Sequence, residues 1–156
     1  QSSQYARRPV PRLERLNLSE VARAAAGIAG VAVEIEAPAP LPVRGDSLLL
    51  SRAIHNLLLN AHEAGATDGH IVLRTFAAGG RAVLEVLDRG AGVPAELLGR
   101  VFEPYVSTKK RSSGLGLSLV RDIATQHGGK VTLENRDGGG ACARLSLPLL
   151  EGNPGS

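Results

Sequence analysis

An acidic residue at the end of an apolar strand is the first candidate for chemistry. In the run VLEVLD, side chains alternate between faces, so Asp88 shares a face with two apolar residues, Leu84 and Val86. A buried carboxylate needs donors, because burying an unpaired charge is costly. Asp88 therefore either caps the strand by accepting from the amides of the next loop or binds a ligand. Gly90 and Gly92 favour the ligand, since glycines let the backbone approach one closely.

A second glycine cluster stands at the start of a predicted helix. The text SSGLGLS contains Gly114 and Gly116 and leads directly into that helix, where free amides and the helix dipole favour an anion such as a phosphate. The donor-rich text TKKR precedes it, and its positive charges could equally belong to a solvated loop. A Rossmann dinucleotide site is excluded, because no third glycine and no preceding strand accompany the pair.

Two asparagines lie on a long helix predicted over residues 47–64, with Asp46 as its N-cap. Asn56 and Asn60 are four positions apart, so one lies above the other on the helix surface. Together with Glu63 they form a stripe nearly opposite the apolar one. An amide oxygen suits Mg²⁺ that is held mainly by phosphates, whereas the alternative is an ordinary exposed polar face. The predicted core stripe consists of Leu50, Ile54, Leu57, Leu58 and Ala61.

The remaining elements form a framework for these residues. We predict a strand in LERLNL, a helix in SEVARAAAGI capped by Asn17 or Ser19, and a strand in VAVEIEA. HIVLRTF and RAVLEVLD form a hairpin across AAGG, a short helix lies near residues 95–99, and a long helix covers residues 114–126. KVTLEN and ACARLSLPL form a last hairpin. This order indicates an α+β fold, a two-layer sandwich of helices on one face of a mixed, mainly antiparallel sheet.

The length of 156 residues and the 43% apolar content fit one domain with a real core. We assign residues 1–12 to a linker, 13–150 to the domain and 151–156 to a tail. With two Phe, two Tyr and no Trp, the chain has little material for stacking nucleic-acid bases. The formal charge of +3 is explained entirely by the first fifteen residues, Arg7, Arg8, Arg12 and Arg15 against Glu14, so we expect no nucleic-acid partner.

The single cysteine, Cys142, excludes an internal disulfide and fits a reducing compartment. We predict that it is a small filler and not a nucleophile. No apolar run is long enough to cross a bilayer, so we expect a cytoplasmic domain whose parent protein could still be membrane-anchored. The histidines lack the spacing of a zinc site, and we predict structural or exposed positions for all four, His55, His62, His70 and His127.

Four sequence motifs resemble those of one family, the GHKL ATPases, and within it those of the sensor histidine kinases of the nitrogen-regulation type. HNLLLNAHEA resembles the family's N box and LDRGAGVP its first glycine box. VFEPYVSTK resembles the F box and SGLGLSLV the second glycine box. They occur in the family's order, and YARRPVPRLERLNLSEV resembles the exit from the phosphotransfer helices. The resemblance covers essentially the whole chain and implies a Bergerat (GHKL) fold that binds Mg²⁺ and ATP.

By this resemblance, Asn60 is the Mg²⁺ ligand, with Asn56 beside it in the nucleotide site. Asp88 accepts a hydrogen bond from the adenine amino group, and Gly90 and Gly92 shape the floor of the pocket. A mobile lid covers the triphosphate, and catalysis falls to Asn60 together with two lid residues, Thr108 and Lys109. The implied lid and its base comprise Phe102, Thr108, Lys109, Gly114, Leu115, Gly116 and Leu117.

The chain also departs from the family's patterns. Glu63 and Ala64 stand where many of these kinases carry a basic residue and an aromatic. Hydrolytic GHKL branches place a glutamate base four residues before the metal asparagine, where this chain has Asn56, so transfer to a protein is favoured over hydrolysis. The implied partners are the dimerisation and histidine-phosphotransfer helices of a parent kinase and, indirectly, a response regulator. We expect this chain to be monomeric.

Two other functions share the same motifs. A protein serine kinase of the anti-sigma type would transfer phosphate to a serine partner without a helical histidine module. A non-catalytic nucleotide-binding module would bind ATP without transferring phosphate. The presence of both Asn60 and Asp88 argues against the second alternative.

Overall fold

The computed structural model describes residues 10–65, 70–104, 106 and 116–151. Its main sheet has five strands: β2 (Glu34–Glu36), β4 (Val72–Ala78), β5 (Arg81–Leu87), β6 (Lys130–Asn135) and β7 (Ala141–Pro148). Their order across the sheet is β2-β4-β5-β7-β6. β2 pairs parallel to β4, and the other three neighbouring pairs are antiparallel. A second, two-stranded sheet pairs β1 (Glu14–Asn17) with β3 (Pro42–Gly45).

Three α-helices occur in the described part of the chain: α1 (Leu18–Ile28), α2 (Ser47–Glu63) and α3 (Gly116–Gln126). Asp46 caps α2 as predicted, its carboxylate accepting from Leu49 N at 3.0 Å. Of the two candidate caps for α1, the structure has Asn17, whose side chain accepts from Ser19 N. The short helix is a single 3₁₀ turn, Ala95–Leu97. Residues 114 and 115 of the predicted second long helix lie outside the described residues.

The helices pack on one face of the main sheet, as the fold prediction required. All five residues of the predicted α2 core stripe are buried, and they meet the inward face of the strands, which includes Leu73, Leu84 and Leu145. Both predicted hairpins are present, and Gly79 and Gly80 adopt positive φ in the turn between β4 and β5. The α+β prediction is therefore confirmed.

The opposite face of the sheet carries an ion-pair cluster. Glu85 lies at its centre with 5% of its side chain exposed. Arg74 Nε donates to its Oε1 at 3.1 Å, and Arg144 Nε donates to its Oε2 at 2.7 Å. Cys142 lies two pairs further along the β5–β7 ladder, opposite Leu87, where burial raises the pKa of its thiol to about 11. A thiol with that pKa is a poor nucleophile at neutral pH, in agreement with the filler assignment.

His127 joins the end of α3 to the start of α2. Its Nδ1 lies 2.7 Å from Ile123 O, and its Nε2 accepts from Asp46 N at 3.0 Å. With Nε2 as the acceptor, Nδ1 is the nitrogen that donates to Ile123 O. The structural role predicted for His127 is confirmed, because the buried ring links two helices through these two bonds.

Candidate functional site

Asp88 follows β5 and is 2% exposed. Its Oδ1 accepts from Gly90 N at 2.8 Å and from Ala141 N at 3.2 Å. Asp88 N in turn donates to Ala141 O at 2.9 Å, which prolongs the ladder between β5 and β7 by one residue. The carboxylate therefore does cap the strand and the following loop. This capping fixes the orientation of the carboxylate at the inner edge of the sheet, which is what a ligand acceptor also requires.

The loop after Asp88 packs against the C-terminal end of α2. Ala91 N donates to Ala64 O at 3.1 Å. A Cβ at Gly90 would lie 2.5 Å from the Ala64 Cβ, so only glycine permits this approach. Gly92 has a φ of +70°, a left-handed conformation that glycine adopts without strain. Both glycines identified in the sequence thus shape the loop. The contact between Gly90 and Ala64 holds the loop after Asp88 against the end of α2.

Asn60 is the unusual residue of α2. It is 2% exposed, and its Oδ1 is the only buried side-chain nitrogen or oxygen without a hydrogen-bond partner among the residues described. The alternative of an ordinary exposed polar face is therefore wrong at this position, although it holds for the exposed Glu63. A buried amide oxygen with no protein donor costs about 1–3 kcal/mol. That unsatisfied acceptor fits a cation ligand, because Mg²⁺ binds oxygen.

Asn56 connects α2 to the beginning of α3. Its Nδ2 donates to Gly116 O at 3.3 Å. Leu117 is buried in the core at the same end of α3, and Phe102 packs half-buried against the core from the loop after the 3₁₀ turn. Phe102 and Leu117 thus both pack on the core of the domain. Four predicted residues, Thr108, Lys109, Gly114 and Leu115, lie outside the described residues.

Sequence reasoning missed the role of the turn between β6 and β7. The sequence predicted only a hairpin between these strands, yet Asn135 at the end of β6 forms two hydrogen bonds with the backbone of Val93. Arg136 Nη1 also donates to Asp88 O at 2.9 Å. The long glycine run was the one available signal, because three successive glycines exceed what a hairpin needs.

With this geometry established, the comparisons with known proteins are decisive about family. Residues 45–151 match the family of histidine kinase-, DNA gyrase B-, and HSP90-like ATPases. That match spans α2, the loop after Asp88 and the hairpin of β6 and β7. The chain belongs to this family, and it corresponds to the ATP-binding catalytic domain of sensor histidine kinases.

Individual relatives agree with the nitrogen-regulation resemblance. The chain is 35% identical to the nitrogen regulation protein NtrY of Azorhizobium caulinodans, over 93% of the chain and 20% of that protein. It is 36% identical to the sensory histidine kinase/phosphatase NtrB of Rhodobacter capsulatus, over 89% of the chain and 44% of that protein. The chain thus spans less than half the length of either relative.

A solved structure confirms the architecture. Full-length ShkA in complex with AMPPNP superposes with a TM-score of 0.77 at 26% identity, covering 90% of this chain and 32% of ShkA. AMPPNP is an ATP analogue, and it is bound by ShkA itself. Among the described residues, no helix has the length and apolar character needed to cross a bilayer.

Proposed function

We propose that this domain binds Mg·ATP and positions the γ-phosphate for transfer to a histidine on a separate helical module. The observation that carries the proposal is the buried, unpaired Oδ1 of Asn60, which offers an oxygen ligand at the centre of the family's N box. Asn60 would hold Mg²⁺, which neutralises phosphate charge when bound. Asp88, at the other side of the loop contact with α2, would accept from the adenine amino group.

Transfer to a protein is favoured over hydrolysis by the residue one turn before Asn60. Asn56 is an amide and donates to Gly116 O, so it cannot take a proton from water as a glutamate would. Gly116 begins α3, directly after the predicted lid. Asn56 would therefore tie the lid's end to the nucleotide site, and the protein's contribution to catalysis would be positioning and charge neutralisation.

Several finer assignments belong to the same proposal. Gly90 and Gly92 would form the floor of the nucleotide pocket, and Phe102 and Leu117 would anchor the lid at its two ends. Thr108, Lys109, Gly114 and Leu115 would belong to the lid over the triphosphate. The partners would be the dimerisation and phosphotransfer helices of a parent kinase, with a response regulator downstream, in the cytoplasm.

A reconstitution experiment tests this function. The domain is mixed with a separately produced phosphotransfer module and labelled ATP, and the chemical stability of the phosphate on the acceptor is measured. We expect acid-labile, base-stable phosphate on the helical module, lost with Asn60→Ala and kept with Glu63→Ala, the matched change at an exposed position of the same helix. Phosphoserine would support an anti-sigma-type kinase, and tight ATP binding without any transfer would support a non-catalytic module.

A further inference from the structure

The turn between β6 and β7 holds the Asp88 loop from both ends. We define this turn as residues 135–141, and the loop as residues 88–93. At the far end of the loop, Asn135 Oδ1 accepts from Val93 N at 2.8 Å and Asn135 Nδ2 donates to Val93 O at 2.8 Å. An amide side chain that bonds both backbone groups of one residue replaces a strand partner. Val93 is thereby fixed to the main sheet although it belongs to no strand.

At the near end, the same turn contacts Asp88 itself. Arg136 Nη1 donates to Asp88 O, and Ala141 N donates to Asp88 Oδ1 at 3.2 Å. A Cβ at Gly140 would lie 2.1 Å from Asp88 O, so the turn and the Asp88 backbone are in direct contact. Gly140 is in the left-handed region at φ +89°. No other residue type fits that position without displacing Asp88.

The contact is reciprocated from the loop. Arg89 Nη1 donates to Asp137 O at 2.6 Å and to Gly139 O at 2.8 Å. A Cβ at Gly92 would lie 3.0 Å from Asn135 Oδ1, which shows how closely the middle of the loop follows the amide. The loop and the turn are thus held together at the start, the middle and the end of the loop.

We propose that Asn135 is a positioning residue for purine recognition: by fixing Val93 it holds the Asp88 loop at the depth at which the carboxylate can accept from an exocyclic amino group. The inference rests on the proposed role of Asp88. Without Asn135 the far end of the loop would lose the two hydrogen bonds that hold Val93. Two anchors fix both the position and the tilt of the carboxylate.

The test compares ATP with ITP, in which a carbonyl oxygen replaces the amino group and the neighbouring ring nitrogen N1 carries a hydrogen. Dissociation constants for both, with Mg²⁺, are measured by calorimetry for wild type, Asn135→Ala and Thr132→Ala, an exposed control on the same strand. We expect Asn135→Ala to lower the preference for ATP over ITP about tenfold, which corresponds to about 1.4 kcal/mol, because the carboxylate would no longer be held at the amino group. Thr132→Ala should keep the wild-type preference.

A merely structural role for Asn135 would change stability but not selectivity. An Asn135→Ala protein that melts earlier yet retains the wild-type ratio of ATP to ITP affinity overturns the proposal. Should that variant not fold, Asn135→Asp serves instead, because it keeps the acceptor for Val93 N and replaces the donor to Val93 O by a charged oxygen that repels this carbonyl. An unchanged ratio again refutes the inference. Asp88→Ala distinguishes failure of the proposed function from failure of this inference. If Asp88→Ala leaves ATP affinity intact, the proposed nucleotide site is wrong. If Asp88→Ala lowers ATP affinity but Asn135→Ala leaves the ATP to ITP ratio unchanged, only the positioning role is wrong.

Discussion

Replacing Asn60 with leucine should leave the ligand-free domain at least as stable as wild type while removing its function. Asn60 Oδ1 is buried without a hydrogen-bond partner among the described residues, which costs about 1–3 kcal/mol in the folded state. Leucine has no such group, and repacking a somewhat different shape costs up to about 1.5 kcal/mol. We therefore expect the free energy of unfolding of Asn60→Leu to equal that of wild type or exceed it by about 1 kcal/mol.

The order should reverse when Mg·ATP is added. A ligand that binds only the native state at a hundredfold excess over Kd stabilises it by about 2.7 kcal/mol. Wild type should gain this amount, and Asn60→Leu should gain little or nothing because it cannot ligate the cation. The assay is urea unfolding with and without Mg·ATP, in which a constant slope of free energy against urea confirms that only stability has changed.

Asn56→Leu is the matched control, because it is the same substitution one turn earlier on the same helix. Asn56 Nδ2 does have a partner, Gly116 O, so its loss should lower the ligand-free stability by about 1 kcal/mol. A fall of more than about 1 kcal/mol for Asn60→Leu without ligand would refute the unsatisfied-acceptor reasoning. Retained stabilisation by Mg·ATP in that variant would refute the metal assignment.

Three further outcomes can be measured independently. Asp46→Ala should lower the free energy of unfolding by about 2 kcal/mol, because the carboxylate caps α2 and also accepts from Arg12 N at 2.8 Å. The Arg12 and Leu49 amides lower the pKa of Asp46, so this contribution is present at neutral pH and is lost as the pH falls below about 4 and through the lowered pKa. A wild-type advantage over Asp46→Ala that does not shrink between neutral pH and about pH 2 in urea unfolding would contradict it. Glu85→Ala should cost about 2–3 kcal/mol by thermal unfolding, less than a fully buried pair, since Arg74 and Arg144 are 42% and 46% exposed; a neutral result would show that the cluster adds nothing. Cys142, with its pKa raised to about 11, should react with iodoacetamide at pH 8 far more slowly than the thiol of the urea-unfolded chain, and equal rates would refute its burial.

The contact between the loop after Asp88 and α2 was only partly predictable from the local sequence. The glycines after Asp88 predicted a close backbone approach, and the structure has one, between Gly90 and Ala64. The sequence could not identify Ala64 as the neighbour, because two strands, β4 and β5, separate Ala64 from Asp88 along the chain. The resemblance to the family supplied the pocket that composition and spacing alone left undecided. The assigned roles of the individual site residues remain predictions.

Periodicity and capping chemistry determined the helices, both hairpins and the fold class, because these depend on neighbours within a few residues. Only the tertiary structure decided which polar groups have partners. Ser19 did not cap α1, since its hydroxyl bonds Ala39 O and Thr75 Oγ1 instead. Asn60 fell on a polar stripe yet is buried, and Asn135 stood before an ordinary turn yet bonds Val93 across 42 residues. Burial and hydrogen-bond partners are set by contacts between distant segments, and no local pattern records them.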